Sequence, residues 1–369
     1  MECPNIPTIK YSEFGKRLRD QTEARRVPLG GSIEVTARCN LSCVQCYINL
    51  PAGDVKAKER ELTYSELCSI LDQITDEGCL WLLLTGGEPF VRPDFLDVYT
   101  YAKKKGMLIT LFTNGTTITP RIADYLAEWR PFSIEITLYG ATKETYEKVT
   151  GVHGSYERCM RGIELLLDRR LPLKLKSTII TLNKDEVWDL KNYAKKLGVD
   201  FRFDPVLNLR FDSNRKPEEF RISPEEIVSL DLQDEERMER WHEFCSKFMG
   251  VPQNTEYVYV CGAGRGTFHI DPYGEMSACI MSRMSSFNLR RGKFSEGWHT
   301  FIPKVIEQKW SQDVPCKTCD LIALCDQCPG WAYLENNDQE KPVDYLCRLA
   351  HMRAKGLGLN SYIESGGEK

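Results

Sequence analysis

The sequence predicts an α/β protein, a partial (β/α)6 TIM-like barrel followed by a small irregular cysteine-rich domain. From Gly30 to about Pro205, short β-branched runs alternate with amphipathic helical segments. Such units in series imply a parallel sheet with helices outside, because parallel strands need crossover connections. Six units fall short of the eight that close a full barrel, so the barrel is expected to be open. After Pro205 the alternation stops and cysteines become frequent.

The predicted elements follow from periodicity and from start and stop signals. Six strands are expected, at Ser32–Ala37, Leu80–Thr85, Leu108–Thr113, Ser133–Leu138, Leu173–Ile180 and Asp200–Phe203. Thr63–Glu66 is a capping box, and Thr119 precedes a proline at the first helical position. Further helices are predicted at Asp94–Lys105, Tyr156–Arg169 and Lys184–Lys196.

The second half of the chain lacks the regular alternation of strands and helices. Asn208–Glu219 is polar and predicts a loop, and Ser223–Met249 predicts a helix. Thr267–Ile270 and Glu275–Ala278 flank a proline–glycine turn and predict a hairpin. The predicted domains are therefore an extension (1–29), the barrel (30–206), a linker with a helical segment (207–255) and the cysteine-rich domain (256–369).

Composition excludes several classes of protein. A net charge of −4 offers no basic stripe for nucleic acid or an anionic membrane. No apolar run approaches the ~20 residues that span a bilayer, and Met1–Lys10 lacks a signal-peptide core, so a cytoplasmic protein is expected. Fifteen cysteines in a reducing compartment point to metal binding rather than to disulfides.

The first cysteine motif directly follows the first predicted strand. Cys39, Cys43 and Cys46 form a Cys-x3-Cys-x2-Cys loop. Three thiolates suit a cubane iron–sulfur cluster with one open iron, whereas structural zinc wants a fourth ligand nearby. A zinc or other structural site remains the alternative on spacing alone.

The second motif, Gly86-Gly87-Glu88-Pro89, follows the second predicted strand. Glycines permit close backbone approach to a ligand, and the carboxylate of Glu88 can meet a cationic amino group. Alone, this tetrapeptide is usually a turn. Next to the cysteine loop it indicates a ligand site, because sites on parallel sheets lie at the carboxyl ends of strands.

Together these two motifs resemble the radical S-adenosylmethionine (SAM) superfamily, over about Gly30 to Pro205. The resemblance implies a six-unit partial barrel and a [4Fe–4S] cluster, held by the cysteine loop, whose open iron binds the methionine end of SAM. It also implies a flavodoxin- or ferredoxin-type electron donor. Reduction would give a 5′-deoxyadenosyl radical that abstracts hydrogen from the substrate.

The same resemblance implies positions for the cofactor contacts. Gly86, Gly87, Glu88 and Pro89 are expected at the methionine end, and Thr137 where relatives often place a serine for SAM. Asn114 is either a neighbour of the site or a turn residue before glycine. Gln45 stands where relatives often carry an aromatic residue or histidine, so stacking on adenine would fall to Tyr47.

The tail resembles the SPASM extension of the superfamily, which carries auxiliary four-iron clusters. Its seven cysteines are Cys261, Cys279, Cys316, Cys319, Cys325, Cys328 and Cys347. The resemblance implies an outer cluster on Cys316, Cys319, Cys325 and Cys347, and an inner one on Cys261, Cys279 and Cys328. The fourth position of the inner cluster is an open iron, a non-cysteine ligand or Cys245. Without the family, the two Cys-x2-Cys pairs would equally suggest a zinc ribbon.

SPASM members mostly modify peptides, by crosslinking, epimerisation, excision or oxidation, so a ribosomal peptide is the expected substrate. Tetrapyrrole or other small-molecule chemistry, or sulfatase-maturase-type protein oxidation, is the alternative. A non-enzymatic electron carrier would leave the Gly-Gly-Glu-Pro motif unexplained. Only about thirty residues precede the first strand. A separate PqqD-like recognition protein, or direct docking, is therefore expected.

No catalytic acid or base stands out in the sequence. Four polar residues lie near expected strand ends or the inner cluster, namely Arg202, Asp204, Arg210 and His269. For each, a salt bridge or a satisfied loop contact is the expected role.

Overall fold

A computed structural model describes residues 9–48, 50–250, 256–325 and 327–360 of the chain. Cys3 and the end of the predicted cysteine-rich domain lie outside these ranges. The main sheet contains β1 (Gly30–Glu34), β2 (Trp81–Thr85), β3 (Leu108–Thr113), β4 (Ser133–Thr137), β5 (Leu173–Thr178), β6 (Asp200–Asp204), β7 (Thr267–Ile270), β8 (Glu275–Ser277) and β9 (Phe287–Asn288). A separate short parallel pair joins Arg38–Cys39 to Leu50–Pro51.

Strands β1 to β6 lie side by side in chain order, and each neighbouring pair is parallel. The prediction of a six-unit partial barrel is therefore confirmed. The predicted bounds of β3 agree with the observed ones. The strand could be predicted because its alternate residues Ile109, Leu111 and Thr113 are buried. This period of two is what the sequence pattern detects.

The helices lie between and after these strands. They are α1 (Tyr11–Thr22), α2 (Val55–Arg60), α3 (Tyr64–Asp76), α4 (Phe95–Lys104), α5 (Pro120–Glu128), α6 (Lys143–Thr150), α7 (Ser155–Asp168), α8 (Val187–Leu197), α9 (Pro224–Gln233), α10 (Glu235–Phe248), α11 (Phe294–Glu296), α12 (Ile302–Ile306), α13 (Pro329–Asn336) and α14 (Asp344–Gly356). A π-helical turn, Gly297–Phe301, joins α11 to α12. Within the described ranges, none of these helices is long and apolar enough to cross a bilayer.

The predicted long helix Ser223–Met249 is instead two helices that break at Asp234. This residue has an extended backbone with ψ of 103°, and its side chain accepts a hydrogen bond from the amide of Arg237 to cap α10. The predicted start at Ser223 is correct, with a complete capping box to Glu226. An aspartate inside a helical pattern can start a new helix, since its side chain competes for backbone amides.

The predicted hairpin forms, and it also extends the barrel sheet. β7 and β8 are antiparallel, while β7 runs parallel to β1 on the side that β2 leaves free. The sheet order is therefore β9-β8-β7-β1-β2-β3-β4-β5-β6. The sheet thus runs across the division drawn at residue 206, and β6 is its opposite edge.

The two faces of this sheet differ in polarity. Ile33 of β1 and Val35 just after it pack with the outer helices in one large apolar cluster, together with alternate residues of the next strands. Between them Glu34 points to the opposite face, where it is fully buried. The chain therefore buries a charged group, Glu34, on the inner face of the barrel.

Candidate active site

The cysteine loop begins where the chain leaves β1. Cys43 is buried, whereas Cys39 and Cys46 are partly exposed. The loop is attached to the end of α6, because the amides of Ser42 and Val44 donate to the carbonyls of Thr150 (2.9 Å) and Val149 (3.0 Å). The three thiols are thus held at the carboxyl end of the sheet.

Donors from two segments point at the sulfur of Cys39. The Leu41 amide lies 3.4 Å and the Asn114 side-chain amide 3.7 Å from Sγ. Burial, with smaller contributions from Glu88 and Cys46, raises the pKa of Cys39 to about 12. A thiolate here therefore needs a bound cation, and thiols with sulfur-directed donors fit an iron–sulfur cluster.

The glycines of the Gly-Gly-Glu-Pro motif pack against the chain that leads to Cys39. A Cβ on Gly86 would lie 2.2 Å from the carbonyl oxygen of Thr36, and one on Gly87 would lie 2.3 Å from that of Arg38. The amide of Gly87 donates to Thr36 (2.8 Å) and that of Glu88 to Arg38 (2.9 Å). Only glycine fits at these two positions, because the backbone that leads to Cys39 lies directly against them. This contact positions the cysteine loop.

Glu88 is fully buried at the end of β2, and its carboxylate is enclosed by donors of its own chain. It accepts hydrogen bonds from the Asn114 amide (2.7 Å) and from the Thr113 hydroxyl (2.8 and 3.0 Å). Phe90 and Thr117 donate at 3.3 Å. Burial raises the pKa of Glu88, opposed by these bonds. The side chain therefore ties β2 to β3, and a ligand at this site would meet the motif through its backbone.

A buried ion pair that sequence reasoning missed supports the same segment. The guanidinium of Arg38 donates to both carboxylate oxygens of Glu61 (2.9 and 3.0 Å). Thr36 donates to the same carboxylate at 2.5 Å. The polar segment before Cys39 is the only sequence feature near Arg38 that hints at this ion pair. Its partner, Glu61, lies 23 residues further along the chain.

Of the remaining predicted SAM contacts, Asn114 lies beside the cysteine loop. Asn114 donates to Asn40 (2.9 Å) beside Cys39, so it lies at the site as well as starting a turn. Thr137 ends β4, half-buried, opposite Lys176. Pro89 is buried at the start of a 3-10 turn. Tyr47 packs edge-on against Phe211, with ring centroids 4.9 Å apart.

The tail cysteines gather into two groups, which we call the inner and outer thiol groups. Cys261, Cys279 and Cys328 form the inner group. Burial raises the pKa of Cys328 to about 12, and the thiols of Cys279 and Cys261 add to that rise. Residues 67 positions apart in sequence are thus brought together.

The outer thiol group contains Cys316, Cys319 and Cys347. Burial raises the pKa of Cys316 to about 11, with further contributions from Cys319 and Cys347. Cys325 packs in the apolar cluster around Trp331, which Cys328 also contacts. Cys245 packs in one apolar cluster with Cys319. Across the described ranges, no three His, Cys, Asp or Glu side chains are grouped to hold a single metal ion.

The four polar residues without an assigned role have local partners. Arg202 pairs with Glu135 (2.7 Å) and Arg210 with Asp212 (3.1 Å). Asp204 accepts a hydrogen bond from the amide of Val206 (3.0 Å). His269 alone lies in the buried interior, where it contacts Ser32 at 2.9 Å.

Comparison with known proteins identifies the family. Residues 33–197 match the model of the Radical SAM superfamily. This range runs from β1 to the end of α8 and contains both the cysteine loop and the Gly-Gly-Glu-Pro motif. Residues 33–197 are therefore a radical SAM domain, as the two motifs predicted, and the protein is an enzyme. Such a domain implies SAM and one [4Fe–4S] cluster as cofactors.

Relatives extend the similarity over most of the chain. The AdoMet-dependent heme synthase of Methanosarcina barkeri is 26% identical over 341 residues, 84% of this chain and 94% of that protein. The PqqA peptide cyclase of Rhizobium meliloti is 26% identical over 281 residues, 74% of each chain. The structure of Streptococcus suis SuiB bound to the precursor peptide SuiA matches with a TM-score of 0.62 at 15% identity, over 94% of this chain and 84% of that one. This last likeness shows a shared fold.

Proposed function

We propose that this enzyme modifies a ribosomally made peptide by radical chemistry. The observation that carries the proposal is its similarity to a peptide cyclase over three quarters of both chains. When bound, SAM and the cluster supply a 5′-deoxyadenosyl radical that removes a hydrogen atom from the substrate. The cysteines of the tail, and the open edge of β6, support a substrate that is extended and held near several redox centres.

The chain's own residues would then hold and orient the reacting groups. Cys39, Cys43 and Cys46 provide three thiolate ligands and leave one iron open to SAM. The side-chain amide of Asn114 and the backbone amide of Leu41 orient Cys39. Glu88 fixes the distance between the ends of β2 and β3. Gly86, Gly87, Pro89, Thr137 and Tyr47 are proposed to line the SAM site.

The two thiol groups of the tail are proposed to hold auxiliary [4Fe–4S] clusters. Cys261, Cys279 and Cys328 would bind the inner cluster, and Cys316, Cys319, Cys325 and Cys347 the outer one. The grouping of sequence-distant thiols supports this assignment. Cys245 packs against the same apolar cluster as Cys319 of the outer group, which disfavours it as the fourth inner ligand. Residues 256–369 would thus be an auxiliary-cluster domain.

The cluster assignment predicts a clear separation of metal content and activity. Replacing Cys39, Cys43 and Cys46 together by alanine should abolish 5′-deoxyadenosine formation while iron remains in the tail. Anaerobically reconstituted wild type should contain about twelve iron atoms, and the variant about eight. Continued 5′-deoxyadenosine formation above the no-enzyme level would contradict the catalytic assignment. About four iron atoms with stoichiometric zinc in the wild type would support a zinc-ribbon tail.

The peptide proposal is tested by coexpression with short open reading frames that neighbour the gene. We expect mass spectrometry to find one peptide whose mass changes only with wild-type enzyme, and not with the triple cysteine variant. A small PqqD-like protein is proposed to deliver that peptide, and a flavodoxin- or ferredoxin-type protein to supply electrons, in the cytoplasm. Calorimetry of the purified peptide with and without the recognition protein tests the delivery step. If no encoded peptide binds or changes mass, the peptide proposal fails.

Tetrapyrrole side-chain chemistry is a second candidate, favoured by the heme synthase relative, which spans 84% of this chain. Incubation of the anaerobically reconstituted enzyme with SAM and a haem-precursor porphyrin in place of a peptide separates the two proposals. A porphyrin product, with no peptide modified, would replace the first proposal by the second.

A further inference from the structure

A cluster of buried and half-buried polar side chains lies on the inner face of the barrel, between the cysteine loop and the inner thiol group. We call it the inner-face network. It consists of Ser32, Glu34, Tyr47, His269 and Arg283. β1 supplies the first two, and His269 is the register partner of Ser32 on β7. The residues span 252 positions of sequence, so only the folded sheet brings them together.

Glu34 is the centre of this network, and its side chain is 0% exposed. One carboxylate oxygen, Oε1, accepts a hydrogen bond from Arg283 at 2.7 Å and lies 3.5 Å from the Tyr47 hydroxyl. Across the described ranges, the other oxygen, Oε2, has no hydrogen-bond partner. Burying a carboxylate oxygen without a hydrogen-bond donor costs free energy. We therefore infer that a ligand binds this oxygen.

His269 approaches the same oxygen without bonding to it. Its Nε2 lies 3.9 Å from Oε2 of Glu34 and 3.3 Å from the guanidinium of Arg283. Its Nδ1 lies 2.9 Å from the hydroxyl of Ser32. Because arginine only donates, Nε2 is the acceptor and the proton is assigned to Nδ1. The imidazole is therefore neutral, consistent with burial and the nearby Arg283, which lower the pKa of His269.

The network connects two of the proposed metal sites. Tyr47 directly follows Cys46, and its hydroxyl is close enough for Cys46 and Glu34 to raise its pKa beyond the rise from burial. Arg283 follows Cys279 by four residues and donates to the carbonyl of Ile280 at 3.0 Å. It is 23% exposed and lies over the ring of Phe211, 3.9 Å from its centroid. Arg283 therefore links buried Glu34 to the partly exposed side of the network.

We propose that Glu34 is the proton acceptor for a substrate N–H or O–H group that enters between the cysteine loop and the inner thiol group. This inference rests on the peptide substrate proposed above, since a peptide offers such donors along its length. In the step, the bond between the donor atom and hydrogen breaks heterolytically. The electron pair stays on the donor atom, and the proton passes to Oε2, giving a neutral carboxyl. This transfer requires no oxidant or reductant.

The charged and titratable groups that face Glu34 set the pH range of this step. They are Arg283, His269, Tyr47 and Asp271, the last directly after β7. Burial raises the pKa of Glu34, Asp271 adds to the rise, and Arg283 opposes it. The acceptor must be ionised to take a proton, so activity should fall as pH drops through this raised pKa. An exposed glutamate has a pKa of about 4.3. The acidic limb of the pH profile therefore lies at a higher pH than this value.

The test compares Glu34→Gln with Glu135→Gln in the reconstituted holoenzyme. Glutamine keeps the size of Glu34 and can still accept from Arg283, but it cannot take up a proton. Glu135 is the matched control, a carboxylate of β4 paired with Arg202 (2.7 Å). With the peptide found by coexpression, Glu34→Gln should retain peptide affinity and 5′-deoxyadenosine formation. Modified peptide per 5′-deoxyadenosine should fall by roughly 10²-fold, and the acidic limb should disappear.

Two outcomes would overturn the proposal. One is a Glu34→Gln enzyme with the product yield and pH profile of the control. The other is measured by infrared spectroscopy of substrate-free holoenzyme, which does not depend on any peptide. On acidification all three proteins should gain protonated-carboxyl bands from their other carboxylates. We expect wild type and Glu135→Gln to show one additional band, from Glu34, that Glu34→Gln lacks. If all three spectra are the same, Glu34 does not take up a proton and the proposal fails, even where the peptide proposal holds. A Glu34-dependent band with no peptide modified would instead contradict the peptide proposal alone.

Discussion

At the scale of single residues, the Gly-Gly-Glu-Pro motif makes contacts within the chain that hold the cysteine loop in place. Gly86 and Gly87 press against the backbone of Thr36 and Arg38. Glu88 is surrounded by donors of its own chain. The sequence predicted that these residues lie beside the cysteines. It did not predict their packing role, because that role depends on a segment about fifty residues earlier.

The packing role of Gly87 can be tested by a single methyl group. Gly87→Ala places a Cβ 2.3 Å from the carbonyl oxygen of Arg38. Relief requires movement of the segment before Cys39, so we expect a loss of about 1–3 kcal/mol in the free energy of unfolding. Iron bound at the cysteine loop should fall as well, measured by iron analysis and denaturant unfolding. Gly53→Ala is the control, since nothing lies within 4 Å of its Cβ. Equal iron content in both variants would contradict this explanation.

At the scale of elements, local signals located most helices and strands but not their distant partners. The capping box of α3 forms as predicted, with Thr63 and Glu66 bonded to each other. The same Glu66 also binds Arg290, which donates at 2.7 Å from a segment 224 residues later. No periodicity or spacing reports such a contact. Capping chemistry can be predicted from four residues, whereas the tie between α3 and the tail cannot.

This tie gives a pH-dependent contribution to stability. The hydrogen bond from Arg290, aided by the Thr63 amide, lowers the pKa of Glu66 to about 2. The pKa is lower in the folded state, so the stabilisation is present above the unfolded value of about 4.3 and is lost as pH falls towards 2. Glu66→Gln keeps the cap but removes the charge. Because Glu66 is 34% exposed, solvent screening limits the expected loss at pH 7 to about 1 kcal/mol.

Urea unfolding at pH 7 and pH 4 checks this prediction. The difference between wild type and Glu66→Gln should be smaller at pH 4, where the unfolded carboxyl is already more than half protonated. Arg290→Gln should remove the same difference, since it takes away the partner. A difference that does not change with pH would mean that Glu66 acts through its cap alone.

At the scale of the whole molecule, the sheet unites the barrel and the cysteine-rich segment. The parallel pairing of β7 with β1 places His269 beside Ser32 and brings Arg283 to Glu34. The hairpin itself was predicted from its turn. Its docking on β1 was not, because the pattern of a short strand does not specify which edge it joins. The sequence therefore did not predict the inner-face network, because nothing in it indicates that these residues meet.

The shared sheet predicts that the barrel will not fold stably without the tail. A chain of residues 1–255 would expose the free edge of β1 and lose Phe268, Phe294 and Trp298, which are buried in the main apolar cluster. An unpaired edge beside newly exposed apolar surface favours aggregation. We therefore expect the truncated chain to aggregate in size-exclusion chromatography and to bind little iron at Cys39, Cys43 and Cys46. The control is the full chain with Cys316→Ala and Cys319→Ala, which removes outer thiols but keeps the sheet. This control should remain monodisperse with an intact catalytic cluster. A monodisperse 1–255 chain that retains about four iron atoms would show that β1 needs no partner from the tail.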